Sequence, residues 1–101
     1  MDSKRELRTA QKTVTVAGTA EPLTSSYKST WKVRIKALST NTANVYVGDS
    51  TVSSSNGYQL IADQELELSA IFAQDNFIMD LNEIYVDSDV AGEGVAIAYL
   101  E

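Results

Sequence analysis

The chain has 101 residues and a formal net charge of −6, with neither His nor Cys. That length holds one domain with one core, and the missing residue types exclude disulfides, thiolate chemistry, zinc sites built on His or Cys, and a Ser-His-Asp triad. No apolar run approaches the roughly 20 residues that cross a bilayer, and an acidic chain is a poor non-specific nucleic-acid binder, so neither a membrane nor a nucleic acid is an expected partner.

Residues 1–10 stand apart as a charged N-terminal arm, with a candidate one-turn capping box in Ser3-x-x-Glu6. The run Met1–Arg8 has no hydrophobic stretch behind its charges, so it does not read as a secretory signal. Gln11–Ala17 alternates, with Val14 and Val16 inward, and Gly18 follows. Trp31–Ala37 is the clearest strand: period 2 places Trp31, Val33, Ile35 and Ala37 on one face and Lys32, Arg34 and Lys36 on the other. Asn44–Val47 is β-branched and aromatic, and Gly48-Asp49 marks a turn. Asn56-Gly57 signals either a tight type I′ hairpin or, behind Ser53-Ser54-Ser55, a longer loop into Tyr58-Gln59-Leu60.

Gln64–Ser69 alternates with Leu66 and Leu68 inward and Glu65 and Glu67 outward, which predicts strand, although the composition of residues 62–74 also suits a helix. Ala70–Met79 is strongly apolar and either completes the core or forms a docking patch. Ile84-Tyr85-Val86 is a further strand, and Val95–Leu100 is the last, with Val95, Ile97 and Tyr99 on one face. The whole predicts an all-β fold: a single β-sandwich or jelly-roll-like domain of seven or eight short antiparallel strands over residues 11–101, behind the short arm.

Candidate chemistry is thin. Asp87-Ser88-Asp89-Val90-Ala91-Gly92-Glu93 resembles a cation loop but departs from the EF-hand pattern at Val90 and Ala91, and acidic turns are routine. The pairs Glu65/Glu67 and Asp87/Asp89 would serve as acid and base only in a cleft that raises one pKa. No catalytic constellation, metal site or cofactor site is predicted, and the expected role is non-enzymatic. All eight Lys and Arg lie in the first 36 residues against three acids, a net of +5, whereas the remaining 65 hold eleven acids and no base. That split predicts association with another copy or another protein. The candidate interface is Lys32, Arg34 and Lys36, with Arg5 and Arg8 from the arm and Tyr58 and Tyr85 as aromatic anchors. Tyr27, Tyr46, Tyr58, Tyr85 and Tyr99 would form a sugar platform only if they clustered in the open.

Two segments, Ile35–Tyr58 and Leu81–Val95, resemble small structural proteins of tailed bacteriophages and prophages, in which an N-x-Y-V-G strand, an S-N-G-Y turn and an I-Y-V-D strand recur. Where that pattern has L-x-x-G-E, this chain reads Leu60-Ile61-Ala62-Asp63-Gln64, without the glycine. The resemblance implies a virion component made in the bacterial host cytoplasm. It further implies a head decoration (cement) protein, homo-oligomeric as trimer or dimer, contacting the major capsid protein or other virion proteins. A neck, tail or fibre-base component and a carbohydrate-binding attachment module are the alternatives, with an accessory domain of a secreted enzyme third.

Overall fold

The computed structural model describes residues 6–69 and 79–100. Ten strands occur there: β1 (Leu7–Thr13), β2 (Glu21–Pro22), β3 (Ser29–Thr30), β4 (Lys32–Ala37), β5 (Val45–Gly48), β6 (Tyr58–Leu60), β7 (Glu65–Ser69), β8 (Met79–Asp80), β9 (Tyr85–Ser88) and β10 (Gly94–Leu100). One four-stranded sheet has the order β1-β10-β4-β7 and a second the order β2-β9-β5-β6, with β3 and β8 pairing separately; every pairing is antiparallel. The domain is an all-β sandwich, as the alternating runs predict.

The register explains how alternation becomes a core. Val33, Ile35 and Ala37 of β4 lie opposite Tyr99, Ile97 and Val95 of β10, and all six are buried. From the second sheet Val45, Val47, Leu60 and Val86 join the same apolar cluster, with Leu66 and Leu68 packed on its margin. Removing such side chains from water contributes roughly 1.5–3 kcal/mol each. Trp31 is not in β4 but in the bend before it, half-buried.

Several expectations need correction. The first strand begins at Leu7, so residues 7–10 belong to the sheet and not to an arm, while residues 1–5, including Ser3 and Arg5, lie outside the described residues. It also ends at Thr13: Val14 is fully buried but Val16 is 57% exposed. The cause is Glu21, whose carboxylate accepts from Thr15 N–H, Thr15 Oγ1 and Val16 N–H (2.9, 2.6 and 3.3 Å) and bends the chain out of the strand. Strand is correct for residues 65–69, but most of the apolar stretch, residues 70–78, lies outside the described residues; Met79 is half-buried against the core. The count of seven or eight strands omits β2, β3 and β8, each two residues long.

Asn56-Gly57 closes a long loop and not a type I′ turn, since neither residue has positive φ. Gly57 is required for close approach instead: a Cβ there would lie 2.5 Å from Tyr46 Cβ and 2.7 Å from Val52 Cγ2. The loop folds back so that buried Val52 lies close over Gly48 and Gly57 on the outer side of β5. Asp63, standing at the glycine position of the L-x-x-G-E pattern, takes the left-handed φ of 72° that Asp tolerates better than most residues.

β10 and β1 approach closely at Gly94, where a Cβ would sit 2.0 Å from the carbonyl oxygen of Lys12 and 2.7 Å from Thr13 Cα. The buried Asn41 amide donates to Gly94 O (2.9 Å) and accepts from Gly94 N–H (3.2 Å), imitating a strand partner. Gly94→Ala is therefore expected to cost about 3 kcal/mol, because the clash is with backbone that cannot rotate away. The urea midpoint of the variant against the parent protein reads this directly.

Candidate docking face

The row Lys32, Arg34 and Lys36 does form one outward face, and its acidic partner is the chain's own β7. Antiparallel register sets Arg34 opposite Glu67 and Lys36 opposite Glu65. Arg34 donates to Glu67 at 2.6 Å and lies 3.5 Å from Glu65. Lys32 reaches Glu67 at 3.3 Å and Lys36 reaches Asp63 at 3.6 Å. Glu67 is held below the usual carboxylate range by the Arg34 hydrogen bond first and Lys32 second, and Arg34 is raised above its ordinary value by Glu67 and then Glu65. Three of the eight bases thus meet acids of β7 and the turn before it within the subunit.

The other candidate residues do not join this row. Arg8 lies opposite Tyr99, on the opposite face of the sheet, and pairs with Glu6 at 2.6 Å. Tyr58 and Tyr85 are in the second sheet on opposite faces, because Tyr58 is level with inward Val47 while Tyr85 is level with Gly48. Tyr46 and Tyr99 are buried and Tyr27 is exposed, so the tyrosines do not cluster in the open.

The outer face of β10 carries what sequence reading missed. Ala96 and Ala98 lie between the longer Thr9 and Gln11 of β1 and Arg34 and Lys36 of β4, leaving a shallow groove of about 350 Å³ that also touches Glu65. It continues past Arg34 and Ala98 into a second hollow of about 210 Å³ between Leu7, Leu100, Lys32 and Glu67. The signal was available: β10 alternates large residues (Val95, Ile97, Tyr99) with alanine, and small residues on an outer face make a trough. An apolar floor with ion-paired walls suits an extended segment or a protein surface.

A separate cleft of about 340 Å³ on the second sheet is lined by Asp49, Ser50, Glu83 and Tyr85. Asp49 is already engaged, accepting from Thr51 N–H and Oγ1 (2.9 and 2.6 Å), which lowers its pKa.

The cation-loop carboxylates turn to protein donors. Asp87 accepts from Gly18 N–H and Ser88 N–H (2.9 and 2.8 Å), Asp89 from the Tyr46 hydroxyl (3.0 Å), and Glu93 from Thr42 Oγ1, Thr42 N–H and Ala43 N–H (2.6, 2.7 and 2.9 Å). The Thr42 hydroxyl, ahead of its N–H, holds Glu93 below its ordinary pKa. Among the described residues no cluster of His, Cys, Asp and Glu is arranged to hold a metal ion. Compared with known proteins, the chain matches no family model, no curated protein and no solved structure.

One ion pair fixes the edge of this face to the rest of the sandwich. Lys12 on the inward side of β1 meets Glu21 of β2 at 2.8 Å, with side-chain exposures of 27% and 15%. Lys12, then the Thr15 hydroxyl, lower Glu21 from 4.5 to about 2 against the opposing effect of burial. A depressed carboxylate stabilises the fold fully above its unfolded pKa and less as pH falls through the folded value. The contribution is therefore complete above about pH 4.5 and gone near pH 2. Glu21→Gln is expected to lower stability at pH 7 by on the order of 2 kcal/mol, and to flatten the acid limb of a stability-against-pH curve measured by urea denaturation.

Proposed function

We propose that this chain is a non-enzymatic structural subunit of a tailed-phage particle, a head decoration protein that docks on the shell through the outer face of the β1-β10-β4-β7 sheet. The observation that carries the reading is the form of that face: a long, shallow trough floored by Ala96 and Ala98 and walled by Thr9, Gln11 and an internal ion-pair ladder. Such a surface offers area and pairing groups to another protein, and its walls arrive already neutralised, so docking does not strand a charge. The motif resemblance adds support from elsewhere in the molecule. Its N-x-Y-V-G, S-N-G-Y and I-Y-V-D segments lie on β5, at the entry to β6 and on β9, which neighbour one another in the second sheet. In this reading that sheet is the scaffold, and the partners are the major capsid protein and further copies of the chain. Multiplicity over a shell then turns modest single contacts into firm attachment.

A carbohydrate-binding attachment module is the second reading, and the cleft beside Tyr85 is what favours it. An aromatic ring with Asp49, Ser50 and Glu83 around it provides a stacking surface and polar partners for a sugar. Loss of glycan-array retention on Tyr85→Ala would support that reading; no retention by the parent protein would remove it.

The head reading is tested by quantitative mass spectrometry of purified particles. Hundreds of copies per particle, on the scale of the major capsid protein, are expected for a protein that covers the shell. A small symmetric number would place it at the neck, tail or fibre base, and its absence would overturn the virion reading.

A further inference from the structure

Within the described residues the first sheet has two edges to which no further strand is paired, β1 and β7. β1 contributes no fully buried side chain to the core; of its seven residues only Lys12 is even half-buried. At the other edge Leu66 and Leu68 are only partly buried. Both edges present backbone N–H and C=O groups along their length, which is a template for pairing with another chain.

We infer that β1 of one copy pairs antiparallel with β7 of a second copy, so that the sheet runs on from subunit to subunit in a head-to-tail contact. The inference rests on the reading of the chain as an assembly subunit, and gives that subunit its mode of self-association.

Geometry comes first. The sheet has four strands and every neighbour is antiparallel, so β1 and β7 run in opposite directions. A second copy set beside the first with the same face outward therefore meets it in antiparallel orientation. Register is equally accommodating. Thr9, Ala98, Arg34 and Glu67 form one row across the sheet, and Gln11, Ala96, Lys36 and Glu65 form another. An unstaggered copy brings Thr9 level with Glu67 of the second copy and Gln11 level with its Glu65.

Chemistry then selects this pairing over the alternatives. On the outer face the Thr9 hydroxyl and Gln11 amide are donors, and the opposing carboxylates are acceptors for charge-assisted bonds. On the inner face the same register sets Ala10 against Leu66 and the aliphatic stem of Arg8 against Leu68, covering two leucines that the single subunit leaves half-open. Like edges do worse. A symmetric β1–β1 pair centred on Ala10 opposes Arg8 to Lys12, and a symmetric β7–β7 pair opposes Glu65 to Glu67, each setting like charges across the strands. Charges that served only to keep edges apart would carry one sign at both edges. Here they carry opposite signs, so the unlike edges meet without the like-charge opposition that either symmetric pair sets up. A head-to-tail contact of this kind closes into a ring or runs on as a filament, depending on the rotation per copy.

The native chain has no Cys, so single-cysteine variants report the contact cleanly. Gln11→Cys and Glu65→Cys full-length proteins, mixed in equal amounts under mild oxidation, are expected to give a mixed disulfide about tenfold in excess of either homodimer, as the cross-strand geometry of the pair allows. Thr9→Cys with Glu67→Cys should behave likewise and guards against a folding defect in one variant. Sedimentation of the parent protein should show concentration-dependent oligomers. Predominant homodimers of either variant would overturn the inference in favour of a symmetric contact. A parent protein that stays monomeric with no mixed disulfide would overturn it outright. That last result, with the protein still present in particles, leaves the virion reading standing. Mixed disulfides from a protein absent from particles support the edge contact and remove the virion reading alone.

Discussion

The sandwich depends on β10. It comes from the C-terminal end of the described residues and pairs on both sides with strands from the first 37, β1 on one side and β4 on the other. Its inward residues Val95, Ile97 and Tyr99 are buried, and its first residue is locked by backbone contact with Lys12 and by the Asn41 amide. The turn that leads into it is held by Glu93, which gathers the donors of Thr42 and Ala43. Nearly all these contacts join residues far apart in sequence. Loop-closure entropy must be overcome before any of them forms, which puts the domain among the slower folders of its size.

Charge is arranged with the same economy. The bases of β4 face water only as far as the carboxylates of β7 allow, and on the inner face of β1 Lys12 meets Glu21 while Arg8 meets Glu6. The result is a molecule with strong charge asymmetry along its sequence and near balance across the β4-β7 pair. At the β4-β7 margin the anions are outermost and the cations one strand further in, so the edge itself presents a negative row. Neutrality of the pair and polarity of the edge coexist because the two charges occupy different strands.

Alternation made the long elements legible. β4, β7 and β10 each follow period 2, and their inward residues form the core as the pattern requires. Two-residue strands such as β2 and β3 carry no period and are defined by a neighbour, Val86 or Met79, that local sequence does not name. The same limitation governs the site. The basic row was visible at Lys32, Arg34 and Lys36, but its meaning turned on which strand lies beside it. Adjacency of β4 and β7 is a tertiary fact, and without it the row reads as a surface in want of an outside partner. Asn56-Gly57 left hairpin and longer loop open for a related reason: the choice turns on the packing of Tyr46 and Val52 against the glycine, which local sequence does not show.

β1 separates two kinds of information that most strands must carry together. Its place in the sheet is held by the backbone ladder to β10, by Gly94 and by the single bond from Lys12 to Glu21, while its remaining side chains pack against nothing in the core. Substitutions at Leu7, Thr9, Ala10 or Gln11 therefore carry almost no packing penalty. A lineage is free to rewrite those positions as its neighbours change, at a pace the core would never tolerate. On the proposed edge contact, recognition can drift there while the fold stays still.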